Sequence, residues 1–115
     1  MPLLMIKTSA DMPPAGEEQL LASASALLAK ATGKPEKYVM VTIDRVVGSI
    51  AGKPGPVVFA DVRGIGGLTH EVNNAITGDL CRLLQSELGI PPESVYITFM
   101  DVAADCWGWN GSTFG

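Results

Sequence analysis

Apolar residues recur along the chain with two different spacings, one typical of helices and one typical of strands. Two stripes have helical spacing, and Gly33 and Gly89 follow them, each with a proline shortly beyond. The first stripe consists of Leu20, Leu21, Ala24, Leu27, Leu28 and Ala31, and the second of Val72, Ile76, Leu80, Leu83, Leu84 and Leu88. The pattern predicts a helix that begins at Glu17–Glu18 and a second helix with Thr69 as its N-cap.

Four shorter runs are rich in β-branched, aromatic and other apolar residues, which predicts strands. They cover residues 2–8, 38–43, 57–62 and 95–100. Residues 9–16 have the composition of a turn, and residues 48–56 are predicted to form a loop or an irregular edge. The aromatic tail, residues 106–115, is turn-rich.

The two halves of the chain repeat one another. Residues 27–43 align with residues 83–99 at one constant offset. The matched positions are Leu27/Leu83, Gly33/Gly89, Pro35/Pro91, Val39/Val95, Val41/Ile97 and Thr42/Thr98. We therefore predict a single α/β (α+β) domain over residues 1–115, with halves of about 1–56 and 57–115. Each half is a strand–helix–strand unit with parallel strands, which gives a four-stranded sheet with two helices on one face.

Two helices can cover only one face of this sheet, yet the strand pattern is apolar on both faces. Val39, Val41 and Ile43 oppose Tyr38 and Met40, while Val95, Ile97 and Phe99 oppose Tyr96 and Met100. A large uncovered apolar face marks an interaction surface. The sequence therefore predicts an obligate oligomer in which bare sheet faces meet, with a site between subunits.

Composition narrows the classes of function. The 115 residues are 47% hydrophobic and 17% charged, which is typical of a folded chain, and no apolar run reaches the ~20 residues of a membrane span. The net charge of -4 argues against nucleic acid as a partner. Cys81, Cys106 and His70 have neither disulfide-framework nor zinc spacing, so we expect no metal and no cofactor. The glycines at 64–67 match neither a dinucleotide motif nor a P-loop.

The start of the chain has two interpretations. Pro2 follows Met1 directly, with no leader, and removal of that methionine would leave a free secondary amine. Pro2 is then either a harmless first residue of an edge strand or a catalytic amine.

Several segments resemble the macrophage migration inhibitory factor family of the tautomerase superfamily. They are the opening Met-Pro, residues 31–35 (ATGKP), residues 95–97 (VYI) and the ending 108–114 (GWNGSTF). The resemblance covers the whole chain, with small length differences before residue 65. It implies a homotrimer whose three sheets line a central barrel. It also implies keto–enol tautomerisation of phenylpyruvate, hydroxyphenylpyruvate and dopachrome derivatives.

The resemblance also implies roles for individual residues. Pro2 would be the catalytic base, and Lys34 with the backbone of Ile65 would hold the substrate carboxylate. The remaining implied positions are Tyr96 from a neighbouring subunit and the aromatic rim of Trp109 and Phe114. A free α-amine has a pKa of ~7.7–8.0, and apolar burial with a nearby Lys34 cation would lower it. Outside the resemblance, Lys34 is equally a solvated helix-end lysine and Tyr96 a space-filling sheet residue.

Three departures from the family pattern bear on activity. Thr98 stands where one member of the family carries Asn, so altered substrate binding is expected. Trp107 replaces a smaller aliphatic residue, which should narrow the mouth of the site or add stacking. Residues 57–60 replace the family's Cys-x-x-Cys, so no thiol–disulfide activity is expected.

Two alternatives stay open. One is a cytokine-like protein that binds a receptor, with the tautomerase site incidental. The other is an isomerase of related fold with another substrate, suggested by Thr98 and Trp107. We expect a cytoplasmic protein, with release that needs no signal peptide as an alternative.

Overall fold

The computed structural model describes residues 1–115. The helices are α1 (Pro14–Thr32) and α2 (His70–Leu88). The strands are β1 (Leu3–Thr8), β2 (Met40–Arg45), β3 (Ser49–Ile50), β4 (Lys53–Pro54), β5 (Val58–Gly64), β6 (Val95–Asp101), β7 (Gly108–Trp109) and β8 (Ser112–Thr113). Short 3₁₀ turns cover Glu36–Tyr38, Pro92–Ser94 and Ala104–Cys106. No helix is long and apolar enough to cross a membrane.

The main sheet has the strand order β2-β1-β5-β6. β1 pairs with β2 in parallel and β5 pairs with β6 in parallel, whereas the central strands β1 and β5 are antiparallel. Each half of the chain is therefore a strand–helix–strand unit, and the predicted repeat is confirmed. Because β1 and β5 are antiparallel, the sheet is mixed. Equivalent residues of the two halves therefore lie at opposite ends of the sheet.

Both helices lie on one face of the sheet, as predicted. Leu20, Ala24 and Leu28 of α1 and Ile76, Leu80 and Leu84 of α2 are fully buried. They form one cluster with alternate residues of the central strands, which are Leu4, Ile6, Val58, Ala60 and Val62. Burial of each large aliphatic side chain stabilises the fold by roughly 1.5–3 kcal/mol, so this layer fixes which strand residues face the helices.

The helix ends follow from local chemistry. Gly33 and Gly89 adopt left-handed φ values of 70° and 68°, which close α1 and α2. The Thr69 hydroxyl accepts a hydrogen bond from the Val72 amide, so the predicted N-cap is confirmed. The predicted start of α1 at Glu17 is wrong, because the helix begins at Pro14 within the stretch assigned to a turn. Proline suits the first helical position, where no amide donor is needed.

The uncovered side of the sheet, called here the bare face, differs from the prediction in two ways. It consists of Leu3, Met5, Lys7, Met40, Thr42, Asp44, Phe59, Asp61, Arg63, Tyr96, Thr98 and Met100, in register across the four strands. Tyr38 is not on it, because the 3₁₀ turn after Pro35 precedes β2. The face is also not uniformly apolar, because Asp61, Arg63 and Thr98 form a polar cluster between exposed Met100 and Tyr96.

Two small hairpins flank the main sheet. β3 pairs with β4 within the region predicted to be a loop or irregular edge, and Ala51 with a φ of 55° makes its turn. β7 pairs with β8 in the aromatic tail, around Asn110 with a φ of 51°. The second hairpin carries Trp109 to the end of the sheet where the chain begins.

Candidate active site

The start of the chain forms part of the wall of a cavity. Pro2 is buried, and its carbonyl oxygen accepts a hydrogen bond of 3.1 Å from the Met40 amide, which ties it to β2. The cavity has a volume of about 500 Å³. Its lining includes Met1, Pro2, Leu3, Lys37, Tyr38, Met40, Arg63, Val102, Cys106, Trp107 and Trp109. This volume suits a small organic ligand.

Lys34 lies at the same end of the sheet, just after the Gly33 cap of α1. Its Nζ donates a hydrogen bond of 3.1 Å to the carbonyl oxygen of Ile65, in the turn after β5. Asp101 holds this turn in place, because its Oδ1 accepts a hydrogen bond of 2.7 Å from the Gly66 amide. Lys34 and the Ile65 backbone are therefore neighbours, as the resemblance implies, although neither lines the main cavity.

The electrostatics of the N-terminus favour an uncharged amine. Burial lowers the pKa of the Met1 amino group below its ordinary value of 8.0, and the Lys34 cation lowers this pKa further. With Met1 present, the Pro2 nitrogen is an amide whose lone pair is delocalised. Once Met1 is removed, the amine would be that of Pro2, which is more buried than Met1. Burial would then disfavour the charged form at Pro2 as well.

Aromatic side chains form one side of the site. The Tyr38 and Trp109 rings meet edge to face, with centroids 5.6 Å apart and an interplanar angle of 83°. Phe114 stacks on Trp109 at 5.9 Å, outside the cavity lining, and Trp107 lines the cavity directly. The structure thus brings together Pro2, Trp107 and Trp109, with Phe114 in support.

Two predicted site residues lie elsewhere in the protomer. Tyr96 is in register with Phe59 and Lys7, whereas the strand residue next to Pro2, Leu3, is in register with Arg63 and Met100. These rows are four residues apart, which is about 13 Å along a strand. Thr98 lies between the rows and donates a hydrogen bond of 2.9 Å to Asp61. Within one protomer, neither residue lines the Pro2 cavity.

Sequence reasoning gave several cavity residues no site role, among them Tyr38 and Arg63. Tyr38 was assigned to a strand, although Pro35 just before it favours a turn. Arg63 fell outside a predicted strand that ended at Val62, while β5 continues to Gly64. The alternation Phe59, Asp61, Arg63 was the available signal, because residues two apart on a strand share a face. No group of three or more His, Cys, Asp or Glu side chains is arranged to hold a metal ion.

The fold and the cavity define a small double strand–helix–strand protein in which Pro2, directly after Met1, is buried. A family model described as macrophage migration inhibitory factor matches residues 1–115, and the chain belongs to that family.

Individual relatives agree with this membership over nearly the whole chain. Macrophage migration inhibitory factor of Xenopus laevis is 36% identical over an alignment of 118 positions, which covers 99% of each chain. The crystal structure of a homologue from Prochlorococcus marinus is 38% identical, with a TM-score of 0.93, 98% of this chain covered and 99% of that one. A similar protein from Entamoeba histolytica has a TM-score of 0.95 at 27% identity, with 98% of each chain covered.

Proposed function

We propose that this protein is a keto–enol tautomerase of aromatic 2-oxo acids such as phenylpyruvate, hydroxyphenylpyruvate and dopachrome-type compounds. Its base is the Pro2 amine of the chain that has lost Met1. The observation that carries the proposal is the environment of the N-terminus. The amino group there has a lowered pKa, and Pro2 is buried in the wall of a cavity lined by aromatic rings.

The reaction needs a base whose pKa lies near the working pH. The unprotonated Pro2 nitrogen removes a proton from the carbon next to the substrate carbonyl. The electrons of that C–H bond form the C=C bond of the enol, and the carbonyl oxygen gains a proton. The protonated amine supplies that proton, directly or through solvent, and so returns to its free form. One proton has moved from carbon to oxygen, so the substrate keeps its atoms and charge.

Substrate binding would use the groups around Pro2. The Lys34 ammonium, assisted by the backbone at Ile65, attracts the carboxylate, because hydrogen bonds between charged partners are the strong ones. Trp107 and Trp109 offer flat apolar surfaces to the aromatic ring, and Phe114 supports Trp109 from behind. The larger Trp107 side chain would favour flat substrates.

A homotrimer completes this proposal. The bare face leaves Met40, Phe59, Tyr96 and Met100 exposed at 61%, 42%, 68% and 50%. Contact with another copy would cover these side chains. Tyr96 lies too far along the sheet to reach Pro2 of its own protomer, so it would join the site of a neighbour. Thr98 would lie close to that junction. Sedimentation that gives a stable monomer at micromolar concentration would contradict the assembly.

The test of the base compares two forms of one protein. Mass spectrometry identifies a preparation that starts at Pro2 and a preparation that retains Met1, and phenylpyruvate ketonisation is measured for both. A positioned general base contributes about 10²–10⁴-fold, so we expect the Met1-retaining form to be slower by at least about 10²-fold. Equal rates would show that Pro2 is only the first residue of a strand.

The pH dependence gives a second readout. The base works unprotonated, so kcat/KM falls as the pH drops through the pKa of the Pro2 amine. Burial, and then Lys34, lower the pKa of the Met1 amine. The same causes should place the acidic limb of the Pro2-starting form below the ordinary value of a free α-amine. A limb at the ordinary value of a free α-amine would contradict the proposed environment.

A second candidate is signalling through a protein receptor, favoured by relatives that are named for an effect on macrophage migration. Migration of cultured macrophages in the presence of the Pro2-starting and Met1-retaining forms separates the two functions. An equal effect of both forms would support a receptor surface independent of the amine. No effect of either form would remove this candidate.

A further inference from the structure

Arg63 is a cation of the Pro2 cavity that the proposed chemistry does not use. It lies on the bare face, in register with Leu3 on β1 and Met100 on β6. Its side chain is 41% exposed and lines the same cavity as Pro2 and Trp107. Lys34 approaches the same end of the sheet from the end of α1, which covers the opposite face.

The Arg63 side chain is held in place by the polar cluster of the bare face. Its Nε and Nη2 each donate to Asp61 Oδ2 at 3.3 Å. Asp61 Oδ1 accepts the Thr98 hydroxyl at 2.9 Å, and the Asp61 side chain is only 17% exposed. The guanidinium is thus oriented through two strands, β5 and β6. A side chain fixed in this way loses less freedom when it binds a ligand.

The contacts with Asp61 leave some of the Arg63 hydrogen-bond donors free to bind a ligand. A guanidinium has five N–H donors in a planar fork, and Asp61 engages Nε and Nη2 along one edge. Nη1 donates no hydrogen bond within the protomer. The free end of the fork matches the two oxygens of a carboxylate, which arginine recognises better than a point charge would. Asp61 offsets the charge of Arg63 without blocking this end.

We propose that Arg63 is a second anion-binding group of the cavity, with Asp61 and Thr98 as its positioning residues. The cavity would then prefer ligands with two acidic groups. The substrates would be 2-oxo acids with a second carboxylate. One carboxylate would bind at Lys34 and Ile65, outside the cavity lining, and the other would bind at Arg63 within it. The substrate class rests on the proposed tautomerase function, whereas the preference for two acidic groups is a property of binding alone.

The test measures binding without turnover. Cinnamate and 4-carboxycinnamate share one ring and differ by a single carboxylate, and quenching of Trp107 and Trp109 fluorescence reports their binding. We expect the wild type to bind 4-carboxycinnamate about tenfold more tightly, the effect of one hydrogen-bonded charge. Arg63→Gln should abolish this preference, and Arg63→Lys should keep part of it.

Matched variants separate Arg63 from other cations. Lys37 also lines the cavity, so Lys37→Gln tests whether it binds the second carboxylate instead, and Lys53→Gln removes an exposed charge from the β3–β4 hairpin. Both variants should keep the preference. The proposal is overturned if the wild type shows no preference, if the preference survives Arg63→Gln in folded protein, or if Lys37→Gln removes it.

The result can be separated from the tautomerase proposal. Phenylpyruvate ketonisation is measured on the same preparations, each shown by mass spectrometry to start at Pro2. A retained preference without ketonisation would remove the tautomerase function and leave the Arg63 site standing. Ketonisation by a wild type with no preference for 4-carboxycinnamate would remove the Arg63 site and leave the tautomerase standing.

Discussion

The two ends of the sheet carry cavities built from equivalent residues, but only one of them contains the start of the chain and the tryptophans of the tail. The Pro2 cavity contains Leu3, Tyr38, Met40, Arg63 and Val102. A second cavity, of about 230 Å³, is lined by the repeat counterparts of these residues, which lie 56 positions later or earlier in the chain. These are Phe59, Ser94, Tyr96, Lys7 and Val46, and Val58 stands for Pro2.

The difference between the two cavities comes from parts of the chain outside the repeat. Val58 lies within the chain with a peptide bond on each side, so no amine can be released there. The tail brings Trp107 and Trp109 to the first cavity, whereas the second is bordered by Ser49 and Ile50 of the β3–β4 hairpin. The repeated fold therefore supplies two similar hollows, and a chain terminus with an aromatic tail makes one of them a candidate active site.

Among the substitutions that compare the two halves, the largest effect is expected for Lys34. The repeat counterpart of Lys34 is Ile90, which is buried. Lys34→Ala should raise KM for phenylpyruvate about tenfold or more, because a hydrogen bond to a charged group contributes about 1.5–3 kcal/mol. The KM of the methyl ester should change less, since it has no charge to pair. Lys30→Ala, at the end of the same helix, is the control, and equal losses for acid and ester would remove Lys34 from binding.

A smaller effect tests whether the two ends meet between subunits. Tyr96→Ala should lower kcat/KM by about tenfold, equivalent to about 1.4 kcal/mol of transition-state stabilisation, although Tyr96 belongs to the second cavity. Sedimentation must show that the variant keeps the wild-type assembly. Phe59→Leu, in register with Tyr96 on β5, is the matched control for the same row. Unchanged kcat/KM in an intact Tyr96→Ala assembly would confine each cavity to its own protomer.

The helix caps provide a comparison in which the two halves should behave alike. Gly33→Ala and Gly89→Ala each place a side chain at a left-handed φ with no atom within 4 Å of the added Cβ. The strain is therefore conformational, and each change should lower the free energy of unfolding by about 1 kcal/mol. Urea denaturation measures both. If the losses of unfolding free energy for Gly33→Ala and Gly89→Ala differed by well over about 1 kcal/mol, the two helix C-termini would not be structurally equivalent.

The smallest expected effect concerns the cysteines, Cys81 of α2 and Cys106 beside the Pro2 cavity. Cys81→Ser with Cys106→Ser should change turnover by less than about tenfold, because no redox step is needed. Iodoacetamide should modify exposed Cys106 before Cys81. Burial raises the pKa of the Cys81 thiol, although Arg82 opposes this, so less of the reactive thiolate forms near pH 8. Faster modification of Cys81, read by peptide mass spectrometry, would contradict this order.

Much of the fold could be predicted because local signals agree with the packing. Gly33, Gly89 and Thr69 act through backbone chemistry within a few residues, and the apolar stripes select the helix faces that are buried. The start of α1 was missed because consecutive prolines suit both a turn and a first helical turn. The polar cluster on the bare face was missed because Thr98 meets Asp61 only across paired strands, and because β5 continues beyond its predicted end at Val62 to include Arg63.

The candidate site was predicted less completely, for a physical reason. Pro2, Lys34 and the tail aromatics were found through the resemblance, and the structure places them at one end of the sheet. Tyr38 and Arg63 reach the same cavity because of a turn and a strand length, which no short motif encodes. The contribution of Tyr96 and Thr98 depends on assembly, so it stays a prediction.

The burial of Pro2 in the cavity wall has a practical consequence for anyone who produces this protein. A purification tag fused ahead of Pro2 would convert its nitrogen into an amide and place extra chain in the cavity that Met1 already borders. Because the helices, sheet and core do not use that nitrogen, the tagged protein would still fold and melt cooperatively. Under the proposed function, quality control by circular dichroism would accept a protein without tautomerase activity, and screens for inhibitors would return false negatives. Cleavage that exposes Pro2 as the first residue is therefore needed before the proposal can be tested.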